Sequence, residues 1–307
     1  MAALPHSSSS GDPALDRRLD WARALIAEGD GAAAAELLTD TVAQAPRFAA
    51  AWFLLGEAKE AAGDLSGAAA AFAEARAADD EDVLGAGLRL ARLGQAPAEG
   101  AMSPAYVRTL FDQYADRFDA ALRGKLAYRG PELLAAALTT VAGPDRRFRH
   151  ALDLGCGTGL AAPLFAPRVD ALDGVDLSPA MLARAEKLGL YGRLEAADME
   201  QALAARPAAS LDLLIAADAL CYLADLAPLF AAAARALAPG GLFAFTVETH
   251  AGSGVLLRDT LRFAHPAPTV RAAAAGAGLA VRRLDEASTR REKGVAVPGL
   301  VGVMERP

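Results

Sequence analysis

The chain has 307 residues, of which 53% are hydrophobic and 22% are charged, with a formal net charge of −7 and an isoelectric point near 5.2. This length allows two domains, and the acidic balance argues against a nucleic-acid partner. The two cysteines form no metal-binding pattern, so we expect a reducing cytoplasm and no metal. We also expect no membrane span, no signal peptide, and a disordered N-terminus over residues 1–14.

Within a predicted helical module over residues 15–95, residues 15–48 can be laid over residues 49–82 with an offset of 34, which places Gly29-Asp30 over Gly63-Asp64. This period with paired helices is typical of the tetratricopeptide repeat, a fold that binds protein partners. A helix around residues 83–93 would cap the module, and a generic alanine-rich helical bundle is the alternative. The second copy resembles the family at Trp52, Leu55, Gly56, Ala68, Phe72 and Ala75.

A composition change follows the repeats. Residues 96–103 are rich in Gly, Pro and Ala, and we predict a linker there. Residues 104–140 are predicted to form two amphipathic helices, and beyond residue 148 short apolar segments alternate with helix-length ones. Strands that alternate with helices indicate a parallel sheet covered on both faces. We therefore predict a second domain over residues 104–307, with its core at 148–307.

A glycine-rich loop, residues 155–159, follows the first predicted strand, His150–Leu154. Its glycines remove side chains where a ligand must lie against the main chain. A dinucleotide-binding loop is the first alternative, but the third glycine comes one place early for that pattern. Asp153 would also repel a pyrophosphate, whereas its carboxylate suits a ligand that carries an ammonium group.

Acidic residues also end the next two predicted strands. Asp176 lies 21 residues after Gly155, where a carboxylate can accept hydrogen bonds from both ribose hydroxyls. Asp198 and Met199 follow the third strand, where an adenine could be held. An amino acid, a ribose and a purine together make S-adenosylmethionine, which we predict as the cofactor.

The motifs DLGCGTG, GVDLSPAML, ADME, LDLLIAADALCYLADL and RALAPGGLFAFTVE follow one another over residues 148–250. In this order they resemble the class I S-adenosylmethionine-dependent methyltransferases. The resemblance implies an α/β, Rossmann-like sheet of seven strands with an antiparallel last strand at 297–304. With the repeats, the chain resembles a bacterial group of predicted methyltransferases that has no defined acceptor. The cofactor-binding residues implied are Asp153, Gly155, Cys156, Gly157, Thr158, Gly159, Asp176, Leu177, Met181, Asp198, Met199 and Asp218.

In similar enzymes the helices before the first strand form a lid, which here would be residues 104–140. That lid carries an FDxxAxxYD element near the cofactor, and this chain has Phe118 where the element has Tyr. Tyr114 or Arg129 could replace the missing hydroxyl at the cofactor. Core packing of the aromatic residues and a surface role for Arg129 are the alternatives.

The acceptor is expected beside the fourth and fifth strand ends, the lid and the loop before the last strand. Catalytic candidates there are His250 and His265, although a loop histidine is often inert. Asp218 is the one acid among the polar candidates, so a cationic rim would favour an anionic acceptor that needs no general base. The predicted substrate-binding residues are Tyr106, Arg262 and Arg290.

The sequence therefore predicts a methyltransferase that uses S-adenosylmethionine and acts on a small-molecule or protein acceptor. The alternative is a repeat-based interaction or assembly factor whose methyltransferase fold binds the cofactor without turnover.

Overall fold

The computed structural model describes residues 9–120, 124 and 126–307. Its contacts divide the chain into two units between Thr109 and Leu110, inside a helix that spans Pro104–Tyr114. Most of the predicted disordered N-terminus, residues 1–8, lies outside the described residues, as do residues 121–123 and 125 of the predicted lid. Residues 9–12 are described, and the side chain of Asp12 caps the first helix.

The first unit is built from helical hairpins. The turns repeat as the sequence predicts: Gly29 and Gly63 have φ angles of +87° and +84°. Asp30 and Asp64 then cap the next helices by accepting hydrogen bonds from backbone N–H groups at 2.9 and 2.8 Å. The helices are α1 (Pro13–Ala27), α2 (Gly31–Gln44), α3 (Ala49–Ala61), α4 (Leu65–Ala78) and α5 (Ala86–Arg92).

The capping helix α5 begins three residues later than residue 83, where the sequence predicts its start. Asp82 and Gly85 take positive φ angles of 49° and 75°, which a helix cannot include. The carboxylate of Asp82 accepts hydrogen bonds from the N–H groups of Ala86 and Gly87 at 2.6 and 2.8 Å. This capping places the helix start at Ala86.

The helix α6 (Pro104–Tyr114) spans the division between the units, and the second unit contains the remaining elements. Its helices are α7 (Phe118–Ala120), α8 (Gly130–Ala142), α9 (Ala162–Phe165), α10 (Pro179–Ala185), α11 (Met199–Ala205), α12 (Ala227–Ala236) and α13 (Ala267–Gly276). Its strands are β1 (Phe148–Leu154), β2 (Val169–Asp176), β3 (Arg193–Ala196), β4 (Leu211–Ala216), β5 (Leu237–Glu248), β6 (Leu256–Leu257), β7 (Phe263–Ala264), β8 (Ala280–Glu286), β9 (Arg291–Glu292), β10 (Val295–Ala296) and β11 (Gly299–Glu305).

The path through the main sheet is β3-β2-β1-β4-β5-β11-β8. Strands β1 to β5 pair in parallel, whereas β11 is antiparallel to both β5 and β8. This arrangement confirms the predicted α/β fold and its antiparallel last strand, which begins at Gly299 rather than at residue 297. The carboxyl ends of β1 to β5 therefore meet at one edge, where open α/β sheets bind ligands.

Apolar side chains cover both faces of the sheet. Along β5, Phe243 and Phe245 pack with α11, α12 and α13, while Leu242 and Ala244 point to the opposite face with α8 and α9. In the described part of the chain, no helix is long and apolar enough to cross a bilayer. The same residues contain no cluster of His, Cys, Asp and Glu that could hold a metal ion.

The second repeat hairpin depends on a close approach between α3 and α4. Phe72 is fully buried, and a Cβ atom added to Gly56 would lie 2.5 Å from its ring. We expect Gly56→Ala to destabilise the first unit by about 1–3 kcal/mol, because the added methyl overpacks a filled core. Denaturant unfolding followed by tryptophan fluorescence measures the change in the free energy of unfolding, since both tryptophans, Trp21 and Trp52, lie in that unit.

The matched control is Gly276→Ala in α13, where an added Cβ meets nothing within 4 Å. It lies in the second unit, so the fluorescence transition should not move. An unchanged transition midpoint in Gly56→Ala would show that the helices do not pack as closely as the structure indicates.

Candidate functional site

Asp176, at the end of β2, holds the glycine-rich loop in place. Its Oδ2 accepts a hydrogen bond from the Gly157 N–H at 2.9 Å, and its Oδ1 accepts one from the Ser178 N–H at 2.8 Å. Gly157 has a φ angle of +55°, and an added Cβ would meet only the Phe118 ring, at 3.8 Å. This left-handed conformation favours glycine, and the missing side chain leaves this part of the loop open. Burial raises the pKa of Asp176.

Asp153, at the end of β1, is 1% exposed and accepts a hydrogen bond from the hydroxyl of Tyr191 at 2.7 Å. Burial raises its pKa to about 7, while the Tyr191 hydrogen bond lowers it and the charge of Asp176 raises it. Within the described residues no cation pairs with Asp153. A cationic group bound there would favour the ionised carboxylate.

The remaining predicted cofactor residues lie around the same edge. The carboxylate of Asp198 caps α11 by accepting hydrogen bonds from the Glu200 and Gln201 N–H groups at 2.9 and 3.2 Å. Met199 and Leu177 are half-buried, whereas Met181 and Cys156 are buried. Burial raises the pKa of the Cys156 thiol, in agreement with a packing role in the loop.

Asp218, two residues beyond β4, has a left-handed backbone with φ +59°. Its N–H donates to Thr246 Oγ1 at 2.8 Å, and its Oδ1 accepts a hydrogen bond from the Thr289 hydroxyl at 2.9 Å. Its Oδ2 lies 3.3 Å from Arg262 Nη2 and 3.2 Å from Arg290 Nη1. Strained backbone of this kind persists where several contacts hold it, and these contacts fix the Asp218 carboxylate.

Glu248, at the end of β5, is the acid that the sequence analysis missed. It is 3% exposed, and its Oε1 lies 2.7 Å from Arg290 Nη2 and 2.8 Å from Arg262 Nε. Its Oε2 lies 3.2 Å from Arg258 Nε, and Glu292 lies 2.7 Å from Arg290. Glu248 could have been recognised from the sequence as a site residue, because it ends a predicted strand as Asp153 and Asp176 do.

This pairing corrects the prediction of a cationic rim. Three arginines of the cluster face three carboxylates, those of Asp218, Glu248 and Glu292, so their formal charges cancel. Arg290 is 2% exposed, and its guanidinium forms ion pairs with carboxylates of the protein itself. An acceptor contact by Arg290 or Arg262 stays a prediction, and it would require this pairing to open.

Aromatic and thiol groups complete this part of the edge. Arg262 donates to Cys221 Sγ at 2.7 Å and lies 5.1 Å from the centre of the Tyr222 ring. Burial raises the pKa of the Cys221 thiol to about 12, so the thiol is protonated at neutral pH. Burial, with the charge of Asp218, also raises the pKa of Tyr128, a second residue that the sequence analysis missed.

The two histidines make contacts that favour structural roles. In His250, Nδ1 accepts a hydrogen bond from the Gly252 N–H, and Nε2 lies 3.0 Å from the Gly254 carbonyl oxygen. His265 is fully buried, its Nε2 lies 2.9 Å from the Leu223 carbonyl oxygen, and burial lowers its pKa to about 4. A catalytic role for either histidine stays a prediction.

The predicted lid residues differ in their surroundings. Tyr106 belongs to the first unit, where its ring lies beside Gly85. Tyr114 is exposed and lies 5.9 Å from the Arg117 guanidinium. Arg129 is exposed, and its backbone N–H donates to the Thr289 carbonyl at 2.8 Å. Roles for these residues at the cofactor or the acceptor stay predictions.

An aromatic cluster on the segment Phe111–Ala120 faces the glycine-rich loop. The rings of Phe111 and Phe118 lie edge to face with centres 5.8 Å apart, and Phe111 meets Tyr222 in the same way at 5.4 Å. Phe118 is the residue nearest to the open side of Gly157. The segment thus extends an apolar surface from the end of β1 towards the end of β4.

Known proteins share both units. Residues 152–245 match the family model described as methyltransferase domain, and residues 25–107 match the one described as tetratricopeptide repeat. Trans-aconitate 2-methyltransferase of Deinococcus radiodurans is 31% identical over 182 residues, which cover 53% of this chain and 69% of that protein. Methyltransferase-like protein 27 of Homo sapiens is 37% identical over 111 residues, 36% of this chain and 45% of the relative.

A solved structure, the 1,6-didemethyltoxoflavin-N1-methyltransferase of Burkholderia thailandensis with bound S-adenosylhomocysteine, shares the fold with a TM-score of 0.52 at 18% identity. The alignment covers 66% of this chain and 87% of that one. This chain spans 33–45% of the length of the first curated relatives that it matches.

The fold, the acidic strand ends and these similarities define an S-adenosylmethionine-dependent methyltransferase domain. The chain belongs to this family, as the relative of Deinococcus radiodurans shows, and it carries tetratricopeptide repeats before the methyltransferase domain. The residues present fit the family's cofactor, because the loop is open at Gly157 and the buried carboxylate of Asp153 has no cationic partner in the described residues.

The raised pKa of Asp153 predicts a pH dependence of cofactor binding. Below pH 7 the carboxyl group must lose a proton before it pairs with an ammonium group, so affinity rises as pH rises through the pKa. We expect the affinity for S-adenosylhomocysteine, measured by calorimetry, to increase roughly fivefold from pH 6 to pH 7. Asp153→Asn should weaken binding and remove this dependence.

Asp170→Asn is the control, since Asp170 is an exposed residue of β2 paired with Arg147. This variant should show the same rise in affinity for S-adenosylhomocysteine from pH 6 to pH 7 as the wild type. A wild-type affinity that does not change with pH, or an unchanged slope in Asp153→Asn, would contradict the placement of the ammonium group at Asp153.

Proposed function

We propose that the methyltransferase domain transfers a methyl group from S-adenosylmethionine to a small acidic molecule bound under the segment Phe111–Ala120. The observation that carries the proposal is the aromatic cover formed by Phe111, Phe118 and Tyr222 beside the glycine-rich loop. An apolar cover over the reacting atoms suits a small acceptor, because methyl transfer requires exclusion of water around them.

In this proposal three strand ends hold the cofactor. Asp153 pairs with the ammonium group, Asp176 accepts hydrogen bonds from the ribose hydroxyls, and Asp198 with Met199 contacts the adenine. The cofactor supplies a methyl group on a positively charged sulfur, which is electrophilic without help from the protein. The remaining task of the chain is to orient the acceptor and to keep water out.

An acidic acceptor is favoured by two observations. A relative that the chain matches over two thirds of its length is named trans-aconitate 2-methyltransferase, so that protein acts on a carboxylic acid. An ionised carboxylate or phenolate also needs no general base, and both predicted catalytic histidines have their ring nitrogens engaged or buried. The proposal does not depend on a cationic rim, because the arginines of the cluster are paired.

Transfer of labelled methyl tests the proposal. The purified full chain is incubated with methyl-labelled S-adenosylmethionine and trans-aconitate, other polycarboxylates or acidic phenols, and in parallel with the protein fraction of a lysate. We expect label in a small acid, released as methanol by mild alkali if a carboxyl group is methylated. Asp176→Ala is the control and should strongly reduce transfer, since this change removes the proposed acceptor for the ribose hydroxyls and the bonds that hold Gly157 and Ser178.

Label found only in the protein fraction would contradict a small acceptor and favour a protein substrate recruited by the repeats. Binding of S-adenosylhomocysteine with no transfer to any fraction would favour the alternative, an interaction factor that binds cofactor without turnover.

A further inference from the structure

We infer that Asp112 and Asp119 are positioning residues that fasten the segment Phe111–Ala120 to both sides of Asp176 and thereby slow release of the cofactor. This inference rests on the proposed placement of the cofactor at Asp176. It adds a role for two acidic residues that the sequence motif contains but that no step of the proposed transfer uses.

The first attachment joins Asp119 to the glycine-rich loop. The hydroxyl of Thr158 donates a hydrogen bond to Asp119 Oδ1 at 2.6 Å, and Thr158 is buried. Its neighbour Gly157 donates its N–H to Asp176 Oδ2 at 2.9 Å. The segment is therefore linked, through Thr158 and the adjacent Gly157, to the carboxylate proposed to hold the ribose.

The second attachment joins Asp112 to the start of α10. The hydroxyl of Ser178 donates to Asp112 Oδ1 at 2.6 Å, and the N–H of Ala180 donates to the same oxygen at 3.2 Å. Ser178 is fully buried, and its own N–H donates to Asp176 Oδ1 at 2.8 Å. Each carboxylate oxygen of Asp176 therefore accepts a hydrogen bond from a loop, and the segment Phe111–Ala120 is hydrogen-bonded to both of these loops.

The physical consequence follows from the strength of these bonds. Hydrogen bonds from hydroxyls to ionised carboxylates are about twice as strong as neutral ones. Opening the segment would leave the hydroxyls of two buried residues without their carboxylate partners, and an unsatisfied buried group is costly. Because the segment covers the open side of Gly157, a bound cofactor should leave only after both attachments break.

The same segment provides an internal control. Asp116 lies between the two positioning residues and is 91% exposed, and its partner Arg184 is not buried, unlike the partners of Asp112 and Asp119. An exposed ion pair contributes little to stability, and Arg184 makes no described contact with Asp176. Loss of the Asp116 carboxylate should therefore leave cofactor release unchanged.

Surface plasmon resonance of the full chain with S-adenosylhomocysteine tests the inference. We expect Asp112→Ala and Asp119→Ala each to raise the dissociation rate by about tenfold with little change in the association rate. Asp119→Asn retains an acceptor oxygen without the charge. Its dissociation rate should lie between those of wild type and Asp119→Ala. Asp116→Ala should match wild type.

A double-mutant cycle separates positioning from a general loss of structure. If Asp119 acts through Thr158, the double variant Asp119→Ala/Thr158→Val should dissociate no faster than Asp119→Ala alone. Wild-type dissociation rates in Asp112→Ala and Asp119→Ala, or in Asp119→Asn should the alanine variant not fold, would overturn the inference while leaving the cofactor site intact. Failure of the wild-type chain to bind S-adenosylhomocysteine would instead overturn the proposed function, and the inference with it.

Discussion

Two backbone N–H groups from different loops, those of Gly157 and Ser178, meet on the carboxylate of Asp176 at 2.9 and 2.8 Å. This constraint sets the geometry of the candidate site. The parallel sheet brings the ends of β1 and β2 side by side, and the shared carboxylate fixes the loops that leave them. Gly157 donates from a loop with positive φ angles, and Ser178 donates from the N-cap of α10. Burial of the carboxylate is unfavourable, and these two hydrogen bonds oppose that cost.

The acidic residues at the sheet edge fall into two groups that differ in their partners. At the ends of β1 and β2, Asp153 and Asp176 have hydroxyl and amide partners but no ion pair in the described residues. At the ends of β4 and β5, Asp218 and Glu248 are paired with arginines. The first group can therefore pair with a cationic group of a ligand, whereas the second is already paired with arginines of the protein itself.

Features that depend on local sequence could be predicted. The repeat turns at Gly29-Asp30 and Gly63-Asp64, the glycine-rich loop and the order of the strands all follow from short motifs and their spacing. Contacts between distant residues could not. Glu248 meets arginines that lie 10 to 42 positions further along the chain, so a count of neighbouring charges wrongly predicted a cationic rim. Tyr191 and Tyr128 likewise gain their positions from the tertiary fold, and the engagement of both histidines in backbone contacts has no sequence signature.

The most direct test of the account is a crystal structure of the full chain with S-adenosylhomocysteine. We expect the ammonium group within hydrogen-bond distance of Asp153, the ribose hydroxyls on Asp176 and the adenine beside Met199, with the segment Phe111–Ala120 closed over the ligand. A ligand whose amino-acid end lies away from Asp153, or one bound elsewhere on the chain, would contradict it.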